Sequence, residues 1–177
     1  MKKIILFSLL ASVLFSACTK EIKTDYTAKT YVEFDANIFN APVTPYPYTV
    51  VTRVVPYGYA SATTYPLISR TSGTIKLRVN LVGTAPSGKD QVITYKVLTA
   101  GITPVSPNAL AVEGTHFTTT GTLTIPANSL FGELTLTILN PGVSSTTLRE
   151  VHLELQGNSE IKVTGTSNKV AVRISQA

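Results

Sequence analysis

From Thr30 onward the chain alternates apolar and polar residues with a period of two, the signature of strands with one buried face and one solvated face. Ile75, Leu77, Val79 and Leu81 alternate with Lys76, Arg78 and Asn80, and Ile93, Tyr95 and Val97 with Thr94 and Lys96. Leu123 and Ile125 alternate with threonines, as do Leu134, Leu136 and Ile138. Val151, Leu153 and Leu155 alternate with His152, Glu154 and Gln156, which predicts a solvent-facing His152. Val170, Val172 and Ile174 close the series, and Tyr31–Phe34 and Tyr48–Val55 add two strands near its start.

Turn signals separate these runs at Pro86-Ser87-Gly88, Pro126-Ala127-Asn128, Asn140-Pro141-Gly142 and Gly157-Asn158-Ser159. No segment carries a 3.6-residue apolar stripe. Short alternating strands with regular turns predict an all-β, immunoglobulin-like antiparallel β-sandwich of seven to nine strands. Its two sheets would enclose one core about 10 Å thick.

The N-terminus breaks the pattern. Met1-Lys2-Lys3 is cationic, Ile4 to Phe15 is an apolar run, and Ser16-Ala17 precede Cys18, the one cysteine of the chain. This order resembles a bacterial lipoprotein signal, with Phe15 where leucine is usual. Lipidation at Cys18 would make it the mature N-terminus; the alternative is an ordinary secretory signal cut near Ala17. The run is shorter than the roughly 20 residues of a spanning helix. The predicted organisation is a signal over 1–17, a flexible tether over 18–29 and one sandwich domain over 30–177. Lys20-Glu21 faintly resembles the export signal of surface lipoproteins in certain Gram-negative bacteria. The expected location is the outer membrane, lipid-anchored, with surface display favoured over the periplasmic face.

Charge narrows the partners. Loss of Lys2 and Lys3 with the signal lowers the net charge from +5 to +3, the ten acids being retained. The remaining basic residues are scattered, so no clustered patch for nucleic acid is expected. With Cys18 acylated, no thiol is left for a disulfide or a thiolate metal site.

Glu113-Gly114-Thr115-His116-Phe117, then Gly121 to Ala127, Gly132 to Leu139 and Arg149 to Leu155 form an ordered set of turn and strand motifs. Over Gly73 to Ser175 this set resembles Calx-beta domains and the small sandwich domains of lipoproteins associated with polysaccharide-uptake systems. The resemblance implies the same architecture and raises calcium as a ligand, since calcium-binding members use loop carboxylates. Calcium takes 6–8 oxygen ligands. Here His116 stands where the family turn usually has Asp, and Asn140-Pro141-Gly142 where paired Asp is frequent. Glu113 and Glu150 remain as candidate calcium ligands, with Glu33 and Asp35 as distant helpers; otherwise no cofactor is expected.

Signals of catalysis are missing. His116 and His152 have no second histidine or free cysteine at short spacing, Gly-x-Ser-x-Gly is absent, and no glycine-rich phosphate loop precedes a helix. The expectation is a non-enzyme. Seven of the eight tyrosines lie between Tyr26 and Tyr65. Among them Tyr46, Tyr48, Tyr57, Tyr59 and Tyr65 are candidate ligand contacts, because tyrosine gives rigid amphipathic surface at low entropic cost. They either cover one end of the sandwich or meet a partner protein or glycan. The sequence thus points to a membrane-anchored interaction or accessory module. The alternatives are a glycan-binding accessory lipoprotein and a calcium-dependent adhesion-type sandwich.

Overall fold

The alternating runs become eleven strands in a computed structural model that describes residues 29–35, 44–52, 73–83, 86–142 and 145–175. They are β1 (Tyr31–Phe34), β2 (Val50–Val51), β3 (Gly73–Val82), β4 (Gln91–Val97), β5 (Ala109–Leu110) and β6 (Phe117–Thr118). β7 (Thr122–Ile125), β8 (Phe131–Ile138), β9 (Arg149–Gly157), β10 (Lys162–Val163) and β11 (Lys169–Ile174) follow. Seven have four residues or more; β2, β5, β6 and β10 are two-residue pairings. No helix occurs among the described residues.

The strands form two facing sheets, a β-sandwich. One runs β10-β1-β3-β8-β6, the other β2-β11-β9-β4-β7 with β5 added against β9. β3 and β8 pair from Gly73↔Ile138 to Asn80↔Phe131, so both present their apolar residues to the same side. Val32, Phe34, Ile75, Leu77, Val79, Leu134, Leu136 and Ile138 of the first sheet meet Ile93, Leu123, Ile125, Val151, Leu153, Leu155 and Val172 of the second in one core. Each such side chain contributes roughly 1.5–3 kcal/mol when fully buried. Gly132 lies where β8 crosses β7, and a Cβ there would stand 2.5 Å from the Thr124 carbonyl oxygen. The close approach of two backbones explains the glycine.

Three features differ from expectation. The pairing is not wholly antiparallel: β1–β10, β2–β11 and β5–β9 are parallel. The strand expected over Tyr48–Val55 is Val50–Val51 within the described residues, and 53–55 lie outside them. His152 does not face water; it is fully buried, at 0% exposure. A second layer covers the outer face of β9 and β11, so alternation alone misassigned the face.

Candidate functional site

The outward positions of β9 are Glu150, His152 and Glu154, opposite Arg173, Ala171 and Lys169 of β11 in register. Two of these cross-strand pairs join opposite charges. The middle pair sets a ring opposite a methyl group, leaving a shallow floor for other rings. Tyr46, Tyr48 and Val50 lie on that floor with Ala171, and Ile102 and Val105 close over them as a small second core. The strap over 44–49 is fixed by the Ala171 amide donating to the Thr49 carbonyl at 2.9 Å and by the β2–β11 pairing. The Tyr46 and Tyr48 rings stack at 5.6 Å and 18°, and His152 stands edge-on to Tyr46 at 4.7 Å.

Glu150, 1% exposed, is the hub. Its Oε2 accepts from the Tyr46 hydroxyl at 2.6 Å and faces His152 Nε2 at 3.2 Å. Its Oε1 accepts from Asn108 Nδ2 at 2.8 Å, and from Arg173 Nε at 2.9 Å and Nη2 at 2.8 Å. Tyr48 Oη lies 2.9 Å from His152 Nδ1. With Nε2–H donating to the carboxylate, Nδ1 accepts from Tyr48 and both ring nitrogens are satisfied. Burial alone would raise the Glu150 carboxyl, but hydrogen bonds from His152, Tyr46, Arg173 and Asn108 outweigh it and hold the group at about 2. The Tyr46 phenol is pushed up by burial and then by its bond to this carboxylate. Burial, then the Glu150 charge, raises Tyr48 as well.

Beside the strap runs an open cleft. A 200 Å³ part is lined by Phe34, Asp35, Pro47, Tyr48, Ser167 and Lys169, among others. A 410 Å³ part shares Pro47, Tyr48, Thr166 and Lys169 and extends to Glu154, Gly165 and Asn168. Its charges are already paired: Glu154 meets Lys96 at 2.8 Å and Lys169 at 3.4 Å. The Lys96 hydrogen bond holds Glu154 below the usual carboxylate range against a smaller opposing effect of burial, and Lys169 adds to it. Such walls offer hydroxyl, amide and backbone groups to a neutral polar ligand beside the edge of an aromatic strap.

The candidate residues of the sequence are thus dispersed. Tyr46 and Tyr48 come together, but at 6% and 8% exposure they present little free ring surface. Tyr57, Tyr59, Tyr65 and Cys18 lie outside the described residues. Glu113 is exposed in the turn before Phe117. Glu150 has both oxygens engaged by protein donors, and no group of three or more His, Cys, Asp or Glu gathers among the described residues. His116 is buried in its turn, where Nδ1 accepts from the Val112 amide at 2.8 Å. Burial lowers its pKa, opposed by the Val112 hydrogen bond and helped by the Arg149 charge. Sequence reasoning missed Asn108 and Arg173. The available signal was Glu150-x-His152 beside a strand whose outward positions are Lys169, Ala171 and Arg173.

No family model matches the sequence, and no curated protein is significantly similar to it. Solved structures share the fold. The apo form of the Calx CBD1 domain superposes with a TM-score of 0.51 at 13% identity, over 83% of this chain and 96% of that one. Two Bacteroides ovatus proteins of unknown function give TM-scores of 0.51 and 0.50 at 16% and 11% identity, over 82% and 84% of this chain. This chain spans about half of their length, 45% and 52%. The fold is a Calx-beta-like β-sandwich.

Proposed function

We propose that this protein is a non-catalytic, lipid-anchored interaction module of the outer membrane, displayed at the cell surface. The observation that carries the non-catalytic reading is the closure of the Glu150 hub. Acid, imidazole, phenols and guanidinium satisfy one another and hold the 44–49 strap and the 102–110 segment to the second sheet. A general acid or base has to reach a substrate proton, and these groups are committed to protein partners. The signal ending in Ser16-Ala17-Cys18 supports the anchor. The test expresses the full chain and its Cys18→Ala variant in a Gram-negative host supplied with an alkyne fatty acid. Label on the parent alone, in the outer-membrane fraction and sensitive to protease added to intact cells, supports the reading. Label-free parent protein in the soluble periplasm overturns it.

A second reading, favoured by the cleft, is an accessory protein that binds a neutral glycan between Pro47, Tyr48 and the 165–169 turn. Hydroxyl-rich ligands suit paired charges and amide donors better than a net-charged ligand does. A polysaccharide panel read by thermal melt tests it. A shift with one glycan that Asn168→Ala abolishes, without lowering the unliganded melting point, supports the cleft. A flat panel removes tight glycan binding.

A further inference from the structure

We infer that the end of the sandwich that takes in the N-terminal tether rests on the lipid surface, with Leu130, Phe131 and Val82 turned into the headgroup region. This inference depends on the lipid being carried at Cys18.

The described residues hold five exposed large hydrophobics, and four gather at one end. Val82 (39%) closes β3, Val92 (53%) opens β4, Leu130 (49%) precedes β8 and Phe131 (38%) opens it. The fifth, Val112, follows β5, which pairs with the start of β9 at the opposite end. Register brings the cluster together. The Leu81 amide donates to the Leu130 carbonyl at 2.7 Å, Asn80 is opposite Phe131, and Val82 is opposite Tyr31.

The tether joins the fold at the same place. Gly83 has φ +106°, and a Cβ there would stand 2.5 Å from the Lys29 carbonyl oxygen. The incoming backbone therefore packs on the end of β3, within two residues of the apolar group. Cys18 to Ala28 is eleven residues, a reach of at most about 40 Å when fully extended. The ten residues of β3 span about 33 Å. The tether thus enters at the end that carries Val82, Leu130 and Phe131, a strand length from the far end.

Charge agrees with this occupant. Lys29 and the exposed Lys162, whose amide donates to the Thr30 carbonyl at 3.3 Å, flank the apolar residues. The Arg78 guanidinium lies 4.0 Å over the Phe131 ring, with its Nε 3.8 Å from Asp35 Oδ2. At the same end, Lys89 is matched by Glu160 at 3.8 Å, and Asp90 accepts from the Ala127 amide at 2.8 Å. Exposed apolar side chains among cations suit the boundary between acyl chains and anionic headgroups. Tethering makes even a weak surface affinity effective, because the second contact is intramolecular.

The experiment uses the full lipidated chain in vesicles of phosphatidylethanolamine and phosphatidylglycerol. Leu130→Cys and Val112→Cys variants each carry an environment-sensitive fluorophore, and headgroup-labelled lipid acts as quencher. At least twofold stronger quenching at position 130, with a blue-shifted emission, is the expected result. Flotation with equal, water-like signals at both positions overturns this inference and leaves the anchor standing. Failure to float overturns the anchor and the inference together. Both labels sit on exposed positions, and a melt matching the parent chain confirms that the fold is retained.

Discussion

The Tyr46 hydroxyl donates to Glu150 Oε2 at 2.6 Å, joining residues 104 positions apart. Its phenol, raised by burial and by that carboxylate, stays protonated and remains a donor throughout the neutral range. Through this bond the strap is held chemically, while its rings are held by packing on His152 and Ala171.

Tyr46→Phe keeps the ring and removes the donor. Glu150 then remains buried with one bond fewer, at a cost of about 1–3 kcal/mol. The expected readout is a lower denaturant midpoint with an unchanged slope. An unaltered midpoint would mean that the rings alone hold the strap.

Arg173→Met leaves the Glu150 charge without its cation. Removing one partner of a buried pair costs about 3–5 kcal/mol, more than replacing both. The Glu150→Gln/Arg173→Met double variant should therefore be more stable than Arg173→Met alone. Additive losses in the double-mutant cycle would show that the two groups act independently.

Two stages of acid destabilisation are expected. The Glu150 carboxyl is held at about 2 in the fold, below its ordinary 4.5. Its stabilisation is complete above about pH 4.5 and fades as pH falls towards 2, worth about 3 kcal/mol. His116 is lowered from 6.5 by burial. The unfolded chain takes up its proton first, so stability begins to decline as pH falls through 6.5. Urea midpoints measured across this range should show both stages, with Glu150→Gln flattening the lower and His116→Gln the upper. A profile unchanged by either variant would contradict the assignment.

Gly132→Ala forces a Cβ to 2.5 Å from the Thr124 carbonyl oxygen and 3.0 Å from Leu123 Cδ1. Such overpacking costs about 1–3 kcal/mol. Gly88→Ala, which meets nothing within 4 Å, is the matched control and should melt with the parent chain. Equal melting points would mean that β7 and β8 part readily.

The alternation at Ile75–Leu81 and Val151–Leu155 was enough to reveal the strands and their core faces, because a strand period reports the face that meets the other sheet. It was silent about the opposite face of β9. His152 reads as solvated because nothing in its own strand signals a covering layer. That layer comes from Tyr46 and Tyr48, about a hundred residues earlier, and from Asn108 in a segment without periodicity. The parallel pairings were hidden for a related reason. β2 and β10 are two residues long, too short for any pattern, and they exist only because β11 and β1 present open edges to them.

β11 lies between β2 and β9 in the second sheet and is the last strand among the described residues. The strap therefore has no floor until residues beyond Lys169 are available, and Glu150 has no guanidinium partner before Arg173 arrives. Long-range pairings of this kind form late. Pairing of β11 with β9 is the single step that completes both the floor under the strap and the charge balance of Glu150.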